Sequence, residues 1–252
     1  MSVQEWREQI VIEESVTLDM EQRWVTVQLP FMKDPLKYLT EKHQSDSYYG
    51  QAVRVYGSQC RKGPWILEEI QKAHQELVEK GFMVPLDSLD EDTVKFIKEA
   101  PFGHYYLWRV VKKEDSLSTP VRLVVDPTMS GLNLTLANEE NQIDSLVDII
   151  LRSPVNEYAW SSNVTKLYNQ LLLEKAALLY FLFLYSDNLD LSCEPTAPVM
   201  TRAWYSITPT GNKAGYTLEL LVRSTAEEFP DAVEPLIRHR YVDNVVSGAE
   251  DT

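Results

Sequence analysis

The chain has 252 residues, of which 44% are hydrophobic and 25% charged, a composition typical of a packed globular protein and not of a disordered one. Its formal net charge is −14, whereas most nucleic-acid-binding proteins carry a basic surface that neutralises phosphates. Any contact with nucleic acid therefore requires a local basic face on an acidic body.

Targeting and metal signals are sparse. The N-terminal sequence MSVQEWREQ lacks the apolar core of a signal peptide, and the longest apolar run, AALLYFLFLY at 176–185, is too short to cross a bilayer. Cys60 and Cys193 are far apart and have no neighbouring ligands at metal-binding spacing, so we expect neither a zinc site nor a disulfide framework. These features predict an intracellular protein, cytoplasmic or nuclear, without membrane contact.

The first third of the chain predicts one strand and two helices. RWVTVQL (23–29) alternates apolar and polar residues, which is typical of a strand. The segment 33–59 is polar and rich in Tyr and Ser, and we expect it to be irregular. PWILEEIQKAHQELVEKG (64–81) is the clearest helix, since proline begins it and glycine ends it, and a weaker helix follows at 91–99.

The middle of the chain predicts a basic hairpin and a strand that runs into a helix. HYYLWRVVKK (104–113) and PVRLVVD (120–126) are strand-like and form the hairpin. DSLVDIILRS (144–153) has helical periodicity. After it, NEYAWSSNV (156–164) predicts a strand that leads directly into a helix, KLYNQLLLEKAA (166–177).

The last third predicts two apolar strands, a helix and a closing strand. LLYFLFLY (178–185) and VMTRAWYSI (199–207) are the strands, and KAGYTLELLVRSTAEEF (213–229) is the helix. RYVDNVVS (240–247) is a strand bent near its middle. Because helices and strands do not alternate strictly, the predicted fold class is α+β.

Two of the candidate site features lie in the middle of the chain. Lys112, Lys113 and Arg122 on the hairpin could bind phosphate, although a solvated hairpin would also carry such residues. Asn163 lies where the predicted strand becomes a helix, with Tyr168 five residues later. A helix cap and a core aromatic are the ordinary alternatives for this pair.

Two further features follow near the end. ITPTGNKAGY (207–216) is a turn into a helix start, where backbone N–H groups can approach a ligand, although glycine-containing turns are common. In the closing strand, Asp243 is a single carboxylate followed by the amide Asn244. Taken alone, an edge strand that ends in a turn explains this stretch as well as a metal site does.

Taken together and in this order, the features resemble the reverse transcriptase region of BEL/Pao-type retrotransposon polyproteins. The resemblance runs from about Val16 to Gly248. It rests on four segments: VVKKEDSLSTPVRLVVDPT, SSNVTKLYNQLLLEKAALLYFLFLY, TRAWYSITPTGNKAGYTLELLV and FPDAVEPLIRHRYVDNVVSG.

The resemblance implies a right-hand polymerase fold with a ferredoxin-like palm sheet, in which fingers and palm interleave along the chain. The implied division places fingers with an N-terminal extension at 1–135, palm with the first metal motif at 136–168, returning fingers at 169–206 and palm at 207–252. The chain ends four residues after Gly248. The thumb and the ribonuclease H region of the family would then be absent, as in a fragment or a shortened descendant.

The resemblance also implies roles for individual residues. Lys113 and Arg122, beside Lys112, would hold the triphosphate of an incoming deoxynucleotide. Tyr168 would be the gate at the sugar 2′ position, and Asp243 a Mg²⁺ ligand. The floor of the nucleotide pocket would be made by Pro209, Thr210 and Gly211. The implied partners are a primer–template of RNA or DNA and deoxynucleotides.

Two departures from the family pattern concern the metal motifs. Asn163 stands where the family has the first Asp, and Asn244 stands where it has the last Asp of Tyr-x-Asp-Asp. Two-metal phosphoryl transfer needs anionic ligands that hold two Mg²⁺ ions close together, and an amide brings no charge. Of these positions only Asp243 keeps a carboxylate, so we expect polymerisation to be very slow or absent.

Three functions stay open from the sequence. The first is an RNA-directed DNA polymerase domain, here a fragment, with its aspartates changed naturally or by design. The second is an inactive polymerase-like module that binds nucleic acid or nucleotide through its basic hairpin. The third is a domesticated scaffold whose acidic surface contacts protein partners.

Overall fold

The computed structural model describes residues 2–42, 48–100, 103–112, 121–126, 131–138, 145–152, 157–186 and 196–249. The chain divides into two units and passes from one to the other four times. Unit 1 contains residues 1–30, 137–172 and 208–252, and unit 2 contains 31–136 and 173–207. Residues 1–30, which belong to the first predicted segment, 1–135, cluster with the two later segments of unit 1.

Unit 1 contains two small antiparallel sheets among its described residues. In the first, strand order is β1-β2-β7, and the paired β1 and β2 bring Val16 opposite Val27. In the second, strand order is β6-β10-β9. The strands are β1 (Val16–Asp19), β2 (Trp24–Val27), β6 (Tyr158–Asn163), β7 (Leu171–Leu173), β9 (Arg240–Tyr241) and β10 (Asn244–Ala249).

The helices of unit 1 surround a central one, α8. Its neighbours are α1, α9, β1 and a 3-10 helix at Leu167–Gln170, and α9 in turn packs against β10. Ser2 and Glu5 form a capping box at the start of α1, which satisfies free N–H groups there. The helices are α1 (Val3–Glu14), α6 (Leu146–Arg152), α8 (Thr210–Ser224) and α9 (Pro230–Arg238).

Unit 2 is mainly helical and carries two-stranded sheets. The helix α4 packs against α3 and against strands of both sheets, β3–β8 and β4–β5. The helices are α2 (Pro35–Lys42), α3 (Tyr48–Cys60), α4 (Pro64–Glu79), α5 (Glu91–Glu99) and the short α7 (Lys175–Leu178). The strands are β3 (Met83–Val84), β4 (Trp108–Lys112), β5 (Val121–Val125) and β8 (Val199–Met200), and 3-10 turns lie at Leu86–Ser88 and Leu132–Thr135.

The core of unit 2 is aromatic. Tyr106 is 1% exposed and meets the Phe181 ring edge-on, with ring centroids 5.3 Å apart. Tyr56 is equally buried and meets Trp108 edge-on at 5.7 Å. Edge-to-face aromatic pairs stabilise a fold beyond the burial of their area, so these rings contribute to the stability of the unit.

Several predicted elements are confirmed. The helices predicted at 64–81 and 91–99 are α4 and α5, and the one predicted at 144–153 is α6. The predicted helix 213–229 begins three residues earlier, at Thr210, and ends at Ser224. The predicted basic hairpin is β4–β5, in which Arg109 faces Val124.

The prediction that 33–59 is irregular is wrong, because this segment contains α2 and α3. Ala52, Tyr56 and Gln59 follow one another at helical spacing and are all buried. Ala52 and Tyr56 supply the apolar side chains of this stripe, so the segment is amphipathic in spite of its polar composition.

The helix predicted at 166–177 is wrong as well. Lys166 has a left-handed backbone with φ 52°, and only a 3-10 turn, the strand β7 and the four-residue α7 follow it. β7 pairs with β2, so a distant strand partner overrides the local helix propensity of this leucine-rich stretch.

The predicted strands 178–185 and 199–207 are only partly regular. Leu182 and Tyr185 form isolated bridges, and Val199–Met200 is the one regular strand in these segments. Residues 178–185 are all buried. Their backbone groups make individual hydrogen bonds in place of a continuous ladder, for example from the Phe183 N–H to the Pro198 carbonyl at 2.8 Å. The predicted strand 240–247 is a hairpin, since β9 ends at Tyr241 and β10 begins at Asn244.

Candidate functional site

The candidate site lies at the turn that joins β9 to β10. Tyr241 and Asn244 face each other in the register, so Val242 and Asp243 form the two-residue loop between them. Val242 has φ 58°, a left-handed conformation that is rare and strained for a β-branched residue. Such a tight turn fixes the backbone of Asp243 at the end of the hairpin.

The structure brings the three predicted metal-motif residues together. Asn163 and Asn244 are register partners across the β6–β10 pair. The Nδ2 group of Asn163 donates a hydrogen bond to Oδ1 of Asn244 at 3.2 Å, and Nδ2 of Asn244 donates to Oδ1 of Asp243 at 2.9 Å. The backbone N–H of Val164 donates to the Asp243 carbonyl at 2.7 Å. Asn163, Asn244 and Asp243, called the polar trio below, thus form one hydrogen-bonded chain at the surface of unit 1.

The polar trio does not fit a pair of Mg²⁺ ions. It holds one carboxylate, and Oδ1 of that carboxylate accepts a hydrogen bond from the Asn244 amide. The amide oxygen of Asn244 in turn accepts from Asn163. Two divalent ions require more negative charge than one carboxylate supplies. Throughout the part of the chain that the structure describes, no group of three or more His, Cys, Asp or Glu side chains could hold a metal ion.

Arg240 is a residue of this site that sequence reasoning missed. Its Nη1 donates to the carbonyl of Val242 at 2.7 Å, and its Nε donates to the carbonyl of Leu236, near the end of α9, at 3.3 Å. Its guanidinium also lies over Gly215 of α8, where a Cβ atom would be 3.3 Å from Nη2. The sequence holds a weak signal for this contact, a glycine inside a predicted helix.

Tyr168 shares the electrostatic environment of the polar trio. It lies on the 3-10 helix Leu167–Gln170, which packs against α8. Burial raises the pKa of its hydroxyl, the negative charge of Asp243 raises it further, and the positive charge of Arg240 lowers it. The hydroxyl is therefore neutral at physiological pH, and its pKa depends on the charges of Asp243 and Arg240.

The predicted pocket floor forms the start of α8. Pro209 precedes the helix, and its carbonyl accepts a hydrogen bond from the N–H of Lys213 at 3.0 Å. Thr210 is buried, whereas a Cβ atom at Gly211 would have no heavy atom within 4 Å. The backbone at Gly211 can therefore be approached closely. Lys213 is 4% exposed, and its ammonium donates to the carbonyl of Gln28.

The predicted phosphate-binding residues belong to the β4–β5 hairpin of unit 2. In its register Lys112 pairs with Val121, and Arg122 pairs with Val111. Lys113 lies outside the described residues, as does Cys193. Cys60, at the end of α3, is a free half-buried thiol whose pKa is raised by burial. Where the structure describes the chain, none of its helices has the length and hydropathy needed to span a membrane.

Comparisons with known proteins show a likeness to solved structures. No protein-family model matches the chain, and no curated protein matches it. Among solved structures, the chain is similar to a foamy viral protease–reverse transcriptase that was determined in complex with an RNA/DNA hybrid. The TM-score is 0.51 at 15% sequence identity, over 75% of this chain and 21% of the foamy viral chain. The mixed helices and small sheets described above, with this neighbour, give the chain a reverse-transcriptase-like fold.

Proposed function

We propose that this chain is a polymerase-like module of the reverse transcriptase type, related to BEL/Pao retrotransposon polyproteins. It binds a primer–template duplex and catalyses DNA synthesis very slowly or not at all. The single observation that carries the proposal is the polar trio. Three positions that resemble metal motifs meet at one hairpin turn, and only Asp243 among them is a carboxylate.

The chemistry of the polar trio explains why the chain would keep duplex binding and lose DNA synthesis. In two-metal phosphoryl transfer, the ions activate the attacking oxygen and stabilise the leaving group. The Nδ2 groups of Asn163 and Asn244 each donate a hydrogen bond to a neighbouring side-chain oxygen. A metal ion needs oxygen lone pairs as ligands, and an amide N–H group cannot provide one. Contacts to the phosphate backbone do not depend on these positions, so duplex binding survives the loss of the metals.

The remaining residues have roles in this proposal that follow the resemblance. The palm comprises 136–168 and 207–252, and the fingers comprise 1–135, with its N-terminal extension, and 169–206. Lys112, Lys113 and Arg122 hold the phosphates of a nucleotide, Tyr168 restricts the sugar, and the turn at 209–211 supports the base. The RNA/DNA hybrid bound by the foamy viral protein supports the choice of a hybrid duplex as the first ligand to test.

The test is a fluorescence anisotropy titration of a labelled RNA–DNA primer–template. We expect saturable binding at low salt that weakens steeply as salt rises, because released counterions drive such contacts. A labelled single strand and a double-stranded DNA of the same length serve as comparison ligands. Absence of binding to all three ligands at low salt would refute the proposal.

A scaffold for protein partners is the second candidate, and one observation favours it. The helix α6 buries Ile149 but leaves four large apolar side chains exposed, namely Leu146, Val147, Ile150 and Leu151. Surfaces of this kind mark contact sites more often than isolated apolar residues do. The net charge of −14 points the same way. A failed titration with all three ligands would favour this candidate.

A further inference from the structure

Arg240 connects three elements of unit 1 to one another. It lies in β9 and pairs there with Val245 of β10. Its guanidinium donates to a carbonyl of α9 at Leu236 and to the turn carbonyl of Val242. A cation near the C-terminus of a helix is stabilised by the free carbonyls there, so α9 fixes the position of the guanidinium.

The guanidinium of Arg240 lies close to the backbone of α8 at Gly215, which has no side chain. At Gly215 a Cβ atom would stand 3.3 Å from Nη2 and 3.8 Å from Nη1 of Arg240. The first of these separations is tighter than ordinary van der Waals contact, so a side chain at this position would require the guanidinium to shift by a few tenths of an ångström. Glycine inside a helix is destabilising relative to alanine. Its presence here is explained by the close approach of Arg240.

The turn that Arg240 reaches needs an external constraint. A β-branched residue in the left-handed region is strained and persists only where its surroundings impose this conformation. The Val242 carbonyl accepts the Nη1 hydrogen bond at 2.7 Å, and the next carbonyl, that of Asp243, accepts from the Val164 N–H at 2.7 Å. These two bonds hold the turn from its two sides.

We propose that Arg240 is a positioning residue that fixes the Asp243 turn from within the protein, so that the geometry of the site does not depend on a divalent metal ion. The guanidinium constrains the turn through its bonds to the main-chain carbonyls of Val242 and Leu236. This inference rests on the proposed function only in taking Asp243 as the carboxylate of the site.

The test is hydrogen exchange of the Val164 amide in the full chain, measured by NMR. We expect Arg240→Met to speed this exchange by about ten-fold or more, the effect of losing a charge-assisted hydrogen bond. Arg240→Lys should give an intermediate rate, because one ammonium cannot reproduce the two directed bonds of the guanidinium. The Gln28 amide, which donates to the Ser15 carbonyl at 2.9 Å in the same unit, is the internal reference. Equal acceleration at Val164 and Gln28, or no acceleration at either, would overturn the proposal.

Two glycines of α8 provide a matched pair of variants that leave Arg240 in place. Gly215→Ala should speed exchange at Val164, since the new methyl group forces the guanidinium to shift by a few tenths of an ångström. Gly211→Ala lies in the same helix and meets no heavy atom within 4 Å, so Val164 should exchange as in the unaltered chain. The same response in both variants would contradict the role assigned to Arg240.

A metal titration separates this inference from the proposed function. Addition of Mg²⁺ alone, or of a chelator, should leave the exchange of Val164 unchanged in the unaltered chain. A marked slowing by Mg²⁺ would show that a metal ion organises the turn and would overturn the proposal. Failure of the chain to bind a primer–template would refute the proposed function without altering any of these exchange rates.

Discussion

Asn163 and Asn244 face each other across the β6–β10 pair, and the amide group of Asn163 donates to the amide oxygen of Asn244 at 3.2 Å. Two residues 81 positions apart in the chain thus meet at one point of one sheet. The bond uses the donor of one amide and the acceptor of the other. Negative charge at this point comes from Asp243 alone among the polar trio.

A carboxylate at position 244 should change the response of the protein to Mg²⁺. In Asn244→Asp the new charge adjoins Asp243 and removes the amide that donates to it, so the free energy of unfolding should fall by about 1 kcal/mol. Mg²⁺ should restore this loss, because two neighbouring carboxylates bind a divalent ion better than one does. Urea denaturation with and without Mg²⁺ measures both effects.

The control for this change is Asn244→Ala, which removes the same amide without adding charge. It should lose a similar or smaller amount of stability and should show no recovery with Mg²⁺. If Mg²⁺ stabilises the alanine variant as much as the aspartate variant, the recovery has another cause than the paired carboxylates.

The hydroxyl of Tyr168 should report the charges around the polar trio. Burial is the largest cause of its raised pKa, Asp243 adds to it and Arg240 opposes it. Asp243→Asn should therefore lower the Tyr168 pKa, and Arg240→Met should raise it. NMR titration of ring-labelled tyrosine follows the group directly. Tyr216, whose pKa is raised by burial, Glu13 and Glu219, serves as the internal reference and should stay unchanged.

Unit 2 should lose stability at alkaline pH through Tyr56. Burial raises the pKa of Tyr56 to about 12, and its hydroxyl donates to the Ser186 carbonyl at 3.0 Å. The folded state therefore keeps this proton when the unfolded state, with a pKa of about 10, releases it. The contribution of this raised pKa to the free energy of unfolding is fully present below a pH of about 10. It is lost as the pH rises towards 12, by at most about 1.4 kcal/mol per pH unit.

Tyr56→Phe should flatten this alkaline loss, although it also removes the hydrogen bond to Ser186. Denaturation at a series of pH values between about 9 and 12 shows the slope for each variant. Tyr49→Phe changes an exposed ring in the same unit and is the matched control. A slope that does not differ between the Tyr56 variant and the unaltered chain would contradict this assignment.

The basic hairpin should carry a measurable part of the affinity for a primer–template. Removal of one phosphate contact by Arg122→Ala should weaken binding to every sequence alike and reduce the slope of log affinity against log salt by about one. Lys95→Ala on α5, whose ammonium lies 4.0 Å from Glu99, is the charge-matched control. Equal slopes for the two variants would exclude Arg122 from the binding surface.

Much of the candidate site could be predicted because its residues lie in short, ordered motifs. The resemblance placed Asn163 and Asn244 in two metal motifs, and the register of β6 and β10 brings them opposite each other. Arg240 was harder to predict, since its partners are the main-chain carbonyls of Leu236 and Val242. The sequence signals its contact with α8 only weakly, through a glycine inside a predicted helix.

The fold could be predicted where the residues of one element mark its own start and end. Proline at its start and glycine after its end mark α4, and Gly81 has φ 66°, which favours glycine. The stretch 166–177 was not predictable, because the pairing of β7 with β2 determines it. A local helix propensity of a few tenths of a kcal/mol per residue does not compete with a sheet partner that buries leucines.

The most direct test of the proposed function is single-nucleotide extension of a bound RNA–DNA primer–template in the presence of Mg²⁺. The unaltered chain and the variant with both Asn163→Asp and Asn244→Asp are compared at concentrations that saturate the duplex. We expect little or no extension by the unaltered chain and a large gain in the double variant, because restored carboxylates can hold the metal ions. Rapid Mg²⁺-dependent extension by the unaltered chain would contradict the claim that the polar trio disables catalysis.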